Sequence, residues 1–278
     1  MKHITQKTIE MYRAFLISEE KSVATVQKYI HDVQVFLNWL ATRELMKMQI
    51  LSYKSKLLEQ YAPASVNAVL SSLNSFFRYM GRDDLRVKNV KIQRQTFSSS
   101  DRELSKIEYK RLLAAAQGKK NDRLFWLLQT VCSTGIRVSE LRFITVDSLR
   151  RGVAEIACKG KCRKVFLPRQ LCSGLWQYIQ RRGIHEGSIF VTRTGRPLDR
   201  SNIWSEMKKL CKVAGVLSLK VFPHNLRHLF ARTYYSEQRD VVRLADILGH
   251  SSVNTTRIYT VESGEIHCRQ IQKLGLLL

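Results

Sequence analysis

Apolar residues recur every three to four positions through the first part of the chain, and this spacing predicts amphipathic helices. The clearest helix begins near Ser22, and another follows Pro63, which suits a first helical turn, and stops at Gly81. These patterns predict a small all-helical unit with helices over about residues 5–18, 22–40, 47–60 and 63–80.

A polar, serine-rich segment without periodicity, QRQTFSSSDR, follows at residues 93–102. This composition is typical of an exposed connection between domains. After it, Ser105 and Glu108 have the S-x-x-E spacing that caps a helix. We therefore expect two domains, residues 1–94 and 104–278, joined by a linker at 95–103.

The second domain is predicted to be mainly helical with one β-hairpin. An apolar helix ends at Gly135, and residues 138–143 are expected to start another. The hairpin pairs VAEIA at 153–157 with KVFLP at 164–168, and Gly160 between them can take the positive φ of a tight turn. Further helices are expected at about 169–182, 201–214, 224–236 and 240–248. The expected fold is mainly α, with a helical amino-terminal domain and a larger helical domain that carries a small hairpin.

The net charge of the chain indicates what kind of partner the protein binds. The 278 residues include 47 Lys and Arg against 23 Asp and Glu, a net charge of +24. Because 44% of the residues are hydrophobic, this charge belongs to a folded protein rather than to a disordered basic tail. Residues 1–94 carry a net +7 and the remainder +17. A strongly basic folded protein predicts a partner of opposite sign.

The cysteine pattern and the length of the apolar segments indicate the cellular compartment and whether the protein binds a metal. The six cysteines form no CxxC pair and are expected to be reduced thiols. Cys158 and Cys162 supply at most half a zinc site, since no second ligand pair follows. No apolar run approaches the roughly 20 residues of a membrane span, and the amino terminus lacks the features of a secretory signal. We expect a cytoplasmic protein without a bound metal and without a membrane partner.

Three segments of the second domain carry candidate chemistry. His224 and Arg227 in PHNLRHLFA are neighbours on one helix face, where Arg227 favours an anion over a metal ion. Arg137 in TGIRVSEL follows a glycine turn near a predicted helix start. His250 and Tyr259 lie in LGHSSVNTTRIYT, after a glycine suited to a left-handed helix cap. Each residue alone has an ordinary interpretation as a surface charge or a packing residue.

In this order, TGIRVSEL, a hairpin lysine, HNLRH and LGHSSVNTTRIY resemble the tyrosine recombinase family, also called the phage-integrase family. SVATVQKYIHDVQVFLNWL resembles the core-binding helical domain of that family. The resemblance covers nearly the whole chain and implies a site-specific recombinase, either of the Xer type or from a mobile element. Such an enzyme cleaves and rejoins DNA strands through a 3′-phosphotyrosine and uses no cofactor.

The resemblance also implies a role for each candidate. Tyr259 would be the nucleophile, and Arg137 and Arg227 would neutralise the scissile phosphate with paired hydrogen bonds. His250 would hydrogen-bond a non-bridging oxygen, and His224 would accept or relay the tyrosine proton.

Two further residues, Lys159 and Glu140, complete the implied catalytic set. Lys159 corresponds to the hairpin lysine that protonates the departing 5′-oxygen, and Glu140 to an acidic position that orients its neighbours. Because Cys158 stands where the family has glycine, Lys161 remains a competitor for the role of general acid. The same departure favours a mobile element.

The implied partner is double-stranded DNA that contains a specific recombination site. Strand exchange would need four active sites on two duplexes, and hence a tetramer. The tail at about 261–278, with Ile266, Ile271 and Leu274 at helical spacing, resembles a segment that docks into a neighbouring subunit; packing on its own domain is the alternative. Basic residues that could touch DNA, or could only solubilise the protein, are Lys28, Lys54, Arg78, Lys161 and Arg243.

Two other functions compete with recombination. A type IB topoisomerase would use the same chemistry on one duplex, but the two-domain length favours a recombinase. A DNA-binding regulator without activity is disfavoured because all six catalytic positions hold suitable residues. Integration, excision, inversion and dimer resolution all remain open.

Overall fold

The computed structural model describes residues 4–92, 102–119, 121–158, 161–192, 194–250, 252–259 and 272–273, with the backbone alone at Cys158 and Lys161. The chain divides into two compact units, Met1–Arg94 and Gln95–Leu278. Most of the expected linker at 95–103 lies outside the described residues. No helix in the described ranges is both long and apolar enough to cross a bilayer.

The first unit is helical, as its apolar spacing predicts. Ser22 caps its second helix by accepting a hydrogen bond from the backbone nitrogen of Thr25, and Pro63 opens the fourth. Aromatic rings fill the core, where Phe36 packs against Tyr53 and Phe77. The elements are α1 (Gln6–Ser18), α2 (Val23–Leu40), α3 (Lys47–Gln60), α4 (Pro63–Tyr79) and a 3₁₀ turn (Asp83–Leu85).

The second unit is a helical domain with one two-stranded antiparallel sheet. Its first helix has the predicted capping box, since the Ser105 nitrogen donates to Glu108 Oε2 at 2.8 Å and the Glu108 nitrogen to Ser105 Oγ at 3.1 Å. The elements before the sheet are α5 (Lys106–Gly118), α6 (Asp122–Thr134), a 3₁₀ helix (Val138–Phe143) and α7 (Val146–Arg151). The sheet is β1 (Val153–Cys158) and β2 (Lys161–Phe166). The elements after it are α8 (Arg169–Arg182), α9 (Arg200–Ala214), a 3₁₀ turn (Ser218–Lys220), α10 (Pro223–Gln238), α11 (Val241–Leu248), α12 (Val253–Thr256) and a 3₁₀ turn (Arg257–Tyr259).

Helix α6 lies in the main core of this unit and packs against α5, α8 and α10. It ends at Gly135, which has a left-handed φ of +64°. A Cβ at Gly135 would lie 2.4 Å from the Phe230 ring of α10, so only glycine allows this close approach. The end of α6 is thereby pressed against the middle of α10.

Two expectations about local structure were wrong. Residues 138–143 form a 3₁₀ helix rather than the start of an α-helix, because the segment is short and Glu140 closes it by bonding back to the Arg137 backbone at 2.8 Å and 2.9 Å. The strands are also longer toward the hairpin tip than expected, with Cys158 paired to Lys161. Polar residues were excluded from β2 because they looked like a loop, yet the ladder is made by backbone groups, whatever the side chains are.

Candidate active site

Arg227, in the second turn of α10, is 2% exposed and belongs to the most deeply buried side chains in the described residues. Its Nη1 donates to the Gly135 oxygen at 2.6 Å, and its Nη2 donates to the Leu248 oxygen at 2.7 Å. Burial, with a contribution from the charge of Arg137, lowers the pKa of Arg227 to about 10. The guanidinium therefore stays protonated at neutral pH and is fixed in orientation by two carbonyls.

The turn that follows α11 collects three arginines. Gly249 ends this helix in the left-handed conformation, which leaves the Leu248 and Gly249 carbonyls free of helical partners. Arg227 and Arg163 both donate to the Leu248 oxygen, and Arg137 Nη2 reaches the Gly249 oxygen at 3.4 Å. Three guanidinium groups from distant parts of the chain thus converge on one turn, immediately before His250.

Arg137 is held by Glu140. The side chain of Arg137 is 41% exposed, and its Nη1 donates to Glu140 Oε1 at 2.9 Å. Glu140 is buried, and its Oε2 also accepts a hydrogen bond from Arg163 Nη2 at 2.7 Å. Arg163 was missed in the sequence because it was assigned to the hairpin loop. Its alternation with Val165 and Leu167, which are buried, is the signal that places it on the inward face of β2.

His250 and Tyr259 are brought together by α12 and the 3₁₀ turn that follows it. His250 Nδ1 lies 2.8 Å from Thr256 Oγ1, and its ring stacks on Tyr259 with 6.1 Å between centroids. His250 Nε2 is 3.1 Å from Arg227 Nη2. Burial and the nearby charges of Arg227 and Arg137 lower the pKa of His250 to about 4. The imidazole is therefore neutral at physiological pH.

Tyr259 is 3% exposed and packs against Ala231, Leu244 and Leu248. Burial raises the pKa of its phenol, and the charge and hydrogen bonding of Arg227 oppose that rise. The charge of Arg137 acts in the same direction as that of Arg227. The phenol and the two predicted phosphate-binding arginines therefore share one electrostatic environment.

Two histidines of α10 complete the group. The His228 ring contacts His224, with 4.4 Å between centroids, and Tyr259, with 4.8 Å. Burial lowers the pKa of His224 and lowers that of His228 to about 4. His228 Nε2 is buried without a hydrogen-bond partner among the described residues. No role for His228 was predicted from the sequence, although its position four residues after His224 puts it on the same helix face.

The remaining predicted residues lie elsewhere. Lys159 and the side chain of Lys161 are outside the described residues, as is most of the tail at 261–278. Lys28 pairs with Asp32, and Lys54 donates to the Lys88 oxygen at 2.7 Å, so both engage the first unit itself. Arg78 and Arg243 are exposed.

The arrangement can bind an anion and place a phenol beside it. Arg137 presents charge to solvent, Arg227 holds charge next to the phenol, and neutral imidazoles are available to take or pass a proton. Within the described part of the chain, no three His, Cys, Asp or Glu side chains are grouped as potential metal ligands.

Comparison with known proteins decides the family. The model of the phage integrase family matches residues 102–265, which is more than half of the chain, and that of the phage integrase N-terminal SAM-like domain matches residues 9–83. The chain belongs to the phage integrase family. As a member it is a tyrosine recombinase, an enzyme of site-specific DNA recombination, and the topoisomerase and regulator alternatives are not favoured. The family and fold predicted from the sequence are confirmed.

Individual relatives agree with this assignment. The recombinase is 32% identical to tyrosine recombinase XerA of Thermococcus kodakarensis over 283 residues, which covers 98% of this chain and 96% of the relative. Its fold matches a crystal structure of XerA recombinase with a TM-score of 0.55 and 26% identity, covering 99% of this chain and 100% of the other. It also matches a lambda integrase tetramer bound to a Holliday junction, with a TM-score of 0.72, 20% identity and coverage of 91% and 76%.

Proposed function

We propose that the recombinase breaks one DNA strand by attack of the Tyr259 hydroxyl oxygen on the scissile phosphorus. The products are a 3′-phosphotyrosine and a free 5′-hydroxyl. The observation that carries this proposal is the meeting of Arg227, His250 and Tyr259 at one turn. Arg227 Nη2 is 3.1 Å from His250 Nε2, and the same guanidinium opposes the rise in the pKa of the Tyr259 phenol.

Two fixed positive charges answer the main difficulty of the reaction. A phosphodiester is anionic, and its charge grows on the non-bridging oxygens as the nucleophile approaches. Arg137 and Arg227 donate hydrogen bonds to these oxygens. Since Arg227 is already held by the Gly135 and Leu248 carbonyls, its charge needs little rearrangement when DNA arrives.

The proton transfers use the neutral histidines and the hairpin. In the described structure His250 Nε2 accepts from Arg227 Nη2, because a guanidinium only donates, and Nδ1 donates to Thr256 Oγ1. When the phosphate is bound, His250 takes the other tautomer, in which Nε2–H donates to a non-bridging oxygen and Nδ1 accepts from the Thr256 hydroxyl. His224 accepts or relays the phenol proton. Its lowered pKa keeps the imidazole neutral and able to take up a proton, and its ring contacts His228, which contacts Tyr259. Lys159 protonates the departing 5′-oxygen, with Lys161 as the competing general acid. Glu140 orients Arg137.

The rejoining of DNA strands requires the enzyme to act as an oligomer. The phosphotyrosine retains the free energy of the original diester, so a 5′-hydroxyl from a second duplex can reverse the step without ATP. Exchange then takes four protomers on two duplexes, with the tail at about 261–278 contacting a neighbour. The lambda integrase tetramer on a Holliday junction supports an assembly of this kind. The partner is double-stranded DNA inside the cytoplasm, and the net charge of +24 favours its binding.

The test uses the covalent intermediate. The protein is expressed in cells, protein-linked DNA is recovered under denaturing conditions, and the attached DNA is sequenced. Wild type and Tyr61→Phe, which alters an exposed tyrosine, should give an adduct at one defined sequence, whereas Tyr259→Phe should give none and still bind that duplex with nearly unchanged affinity. An adduct formed by Tyr259→Phe would show that Tyr259 is not the nucleophile. The recovered sequence also decides between integration, excision, inversion and dimer resolution.

A further inference from the structure

Arg163 occupies the inward face of the hairpin strand β2. In the ladder it is paired with Ile156, which is buried, and two residues further along the strand Val165 is buried as well. The Arg163 side chain is only 15% exposed. A basic residue that looks like part of a solvated loop in the sequence is therefore directed into the protein.

The guanidinium of Arg163 joins two parts of the candidate site. Its Nη2 donates to Glu140 Oε2 at 2.7 Å, and its Nη1 donates to the Leu248 oxygen at 2.9 Å. The Glu140 side chain is 4% exposed, and it also accepts from Arg137 Nη1 and from the Arg137 backbone nitrogen, each at 2.9 Å. A carboxylate this deeply buried needs its partners, because an uncompensated buried charge is strongly destabilising. Glu140 therefore fixes Arg137 in place while Arg163 fixes Glu140.

Arg163 also packs against the turn at Leu248 and Gly249. A Cβ at Gly249 would lie 2.5 Å from Arg163 Nη1 and 2.6 Å from its Cδ, so the turn rests directly on this side chain. The Leu248 oxygen that accepts from Arg163 also accepts from Arg227, and His250 follows at once. The position of Arg163 thus determines the position of the turn against which Arg227 and His250 are set.

We propose that Arg163 is a positioning residue for the scissile phosphate. Through Glu140 it sets Arg137, and through the turn at Leu248 and Gly249 it sets Arg227 and His250. Because Arg163 is part of β2, it also ties the hairpin that carries Lys159 to these groups. Arg163 does not contact the phosphate. It holds the guanidinium groups of Arg137 and Arg227 at a fixed distance from each other. The inference rests on the proposed function, which gives Arg137 and Arg227 that role.

The test compares two scissile linkages in the duplex recovered from the wild-type adduct. One is the natural phosphodiester, and the other is a methylphosphonate, which lacks the negative charge of one non-bridging oxygen. The variants are Arg163→Met and Arg163→Lys. Arg151→Met is the matched control, because it also removes one positive charge and one ion pair to a glutamate, but in an exposed position next to the same hairpin. The rate of adduct formation is measured in a single turnover with saturating protein.

We expect Arg163→Met to slow cleavage of the phosphodiester by about 10²-fold, a loss that a displacement of catalytic groups by about 1 Å can cause. The loss should be at least about tenfold smaller on the methylphosphonate, because a misplaced guanidinium matters less where less charge must be neutralised. Arg163→Lys keeps the charge without the two-pronged contact and should show the same pattern more weakly. Arg151→Met should behave like wild type on both linkages.

Three outcomes would overturn the proposal. They are an unchanged rate in Arg163→Met, an equal loss on both linkages, and the same pattern in Arg151→Met. If Arg163→Met fails to fold, Arg163→Lys decides by the same ratio of losses. Failure of the proposed function is seen separately, because it appears as an adduct that survives Tyr259→Phe.

Discussion

The rings of His228 and Tyr259 are perpendicular to each other, with 4.8 Å between centroids and 89° between planes. His228 Nε2 is buried and has no hydrogen-bond partner among the described residues, and burial lowers the pKa of the ring to about 4. A buried, unpaired polar atom costs free energy unless it has a function. Next to the candidate nucleophile, His228 is kept as a neutral ring.

This relationship predicts an acid-sensitive fold. The pKa of histidine is about 6.5 in an unfolded chain and about 4 for His228 in the folded protein, so as the pH falls from 6.5 the unfolded state takes up a proton first. Stability should therefore fall between pH 6.5 and 4 and be insensitive to this residue above pH 7. The slope is at most about 1.4 kcal/mol per pH unit for this proton, less what solvent screening removes.

His228→Phe isolates the effect, because phenylalanine keeps the aromatic contact and cannot titrate. Denaturant unfolding at pH 7.5 and pH 5 should show a smaller loss of stability in the variant than in wild type. Equal losses in the two proteins would mean that His228 is not held neutral by burial.

The two phosphate-binding arginines should differ in what they do for the fold. Arg227→Met removes the buried hydrogen bonds to the Gly135 and Leu248 carbonyls, of which the second keeps Arg163 as a donor, and we expect it to cost about 3 kcal/mol of unfolding free energy. Arg137→Met removes a partly exposed pair, and Glu140 keeps Arg163, so the cost should be about 1 kcal/mol or less. Both variants should lose adduct formation. Denaturant unfolding measures the difference, and equal costs would contradict the assignment of Arg227 as part of the core.

The general acid can be assigned with a substrate that needs none. The pairing of Cys158 with Lys161 leaves only positions 159 and 160 between the strands. We expect Lys159→Ala to slow cleavage of a phosphodiester by about 10²-fold or more, and to be restored on a linkage whose 5′-bridging oxygen is replaced by sulfur, because a thiolate leaves without a proton. Lys161→Ala should cleave both linkages. The opposite pattern assigns the role to Lys161, and no rescue in either variant places the acid elsewhere.

Lys28 should matter for the fold of the first unit more than for DNA binding. Its ammonium pairs with the buried Asp32, which also accepts from Ser72 Oγ at 2.6 Å. Lys28→Met removes the only positive partner described for that carboxylate, and we expect it to cost about 1–2 kcal/mol. Arg78→Met changes an exposed residue of α4 and should leave stability within about 0.5 kcal/mol. Thermal unfolding of the two variants, with DNA affinity measured alongside, separates these roles. Equal stability of both variants would mean that the pair of Lys28 with Asp32 does not stabilise the first unit.

The sequence by itself determined the helices and the family. Local signals in the sequence predicted several helix ends: the Ser22 cap of α2, the capping box at Ser105 and the end of α6 at Gly135. Each depends only on residues a few positions away, so the amino-acid sequence alone shows it. The family followed from four short motifs in a fixed order. The sequence also named Arg227, His250 and Tyr259, which the fold brings together.

Only the tertiary structure decided which side chains support these residues. Arg163 looked like a loop cation because its partners, Glu140 and the Leu248 carbonyl, are 23 and 85 positions away in the chain. The sequence predicted no role for His228, because its contact is with Tyr259, which is 31 residues further on. Contacts of this kind have no periodic signal, because they depend on how α6, α10 and the hairpin pack. Whether a charged group is buried, and against what, is a property of that packing and not of the residue itself.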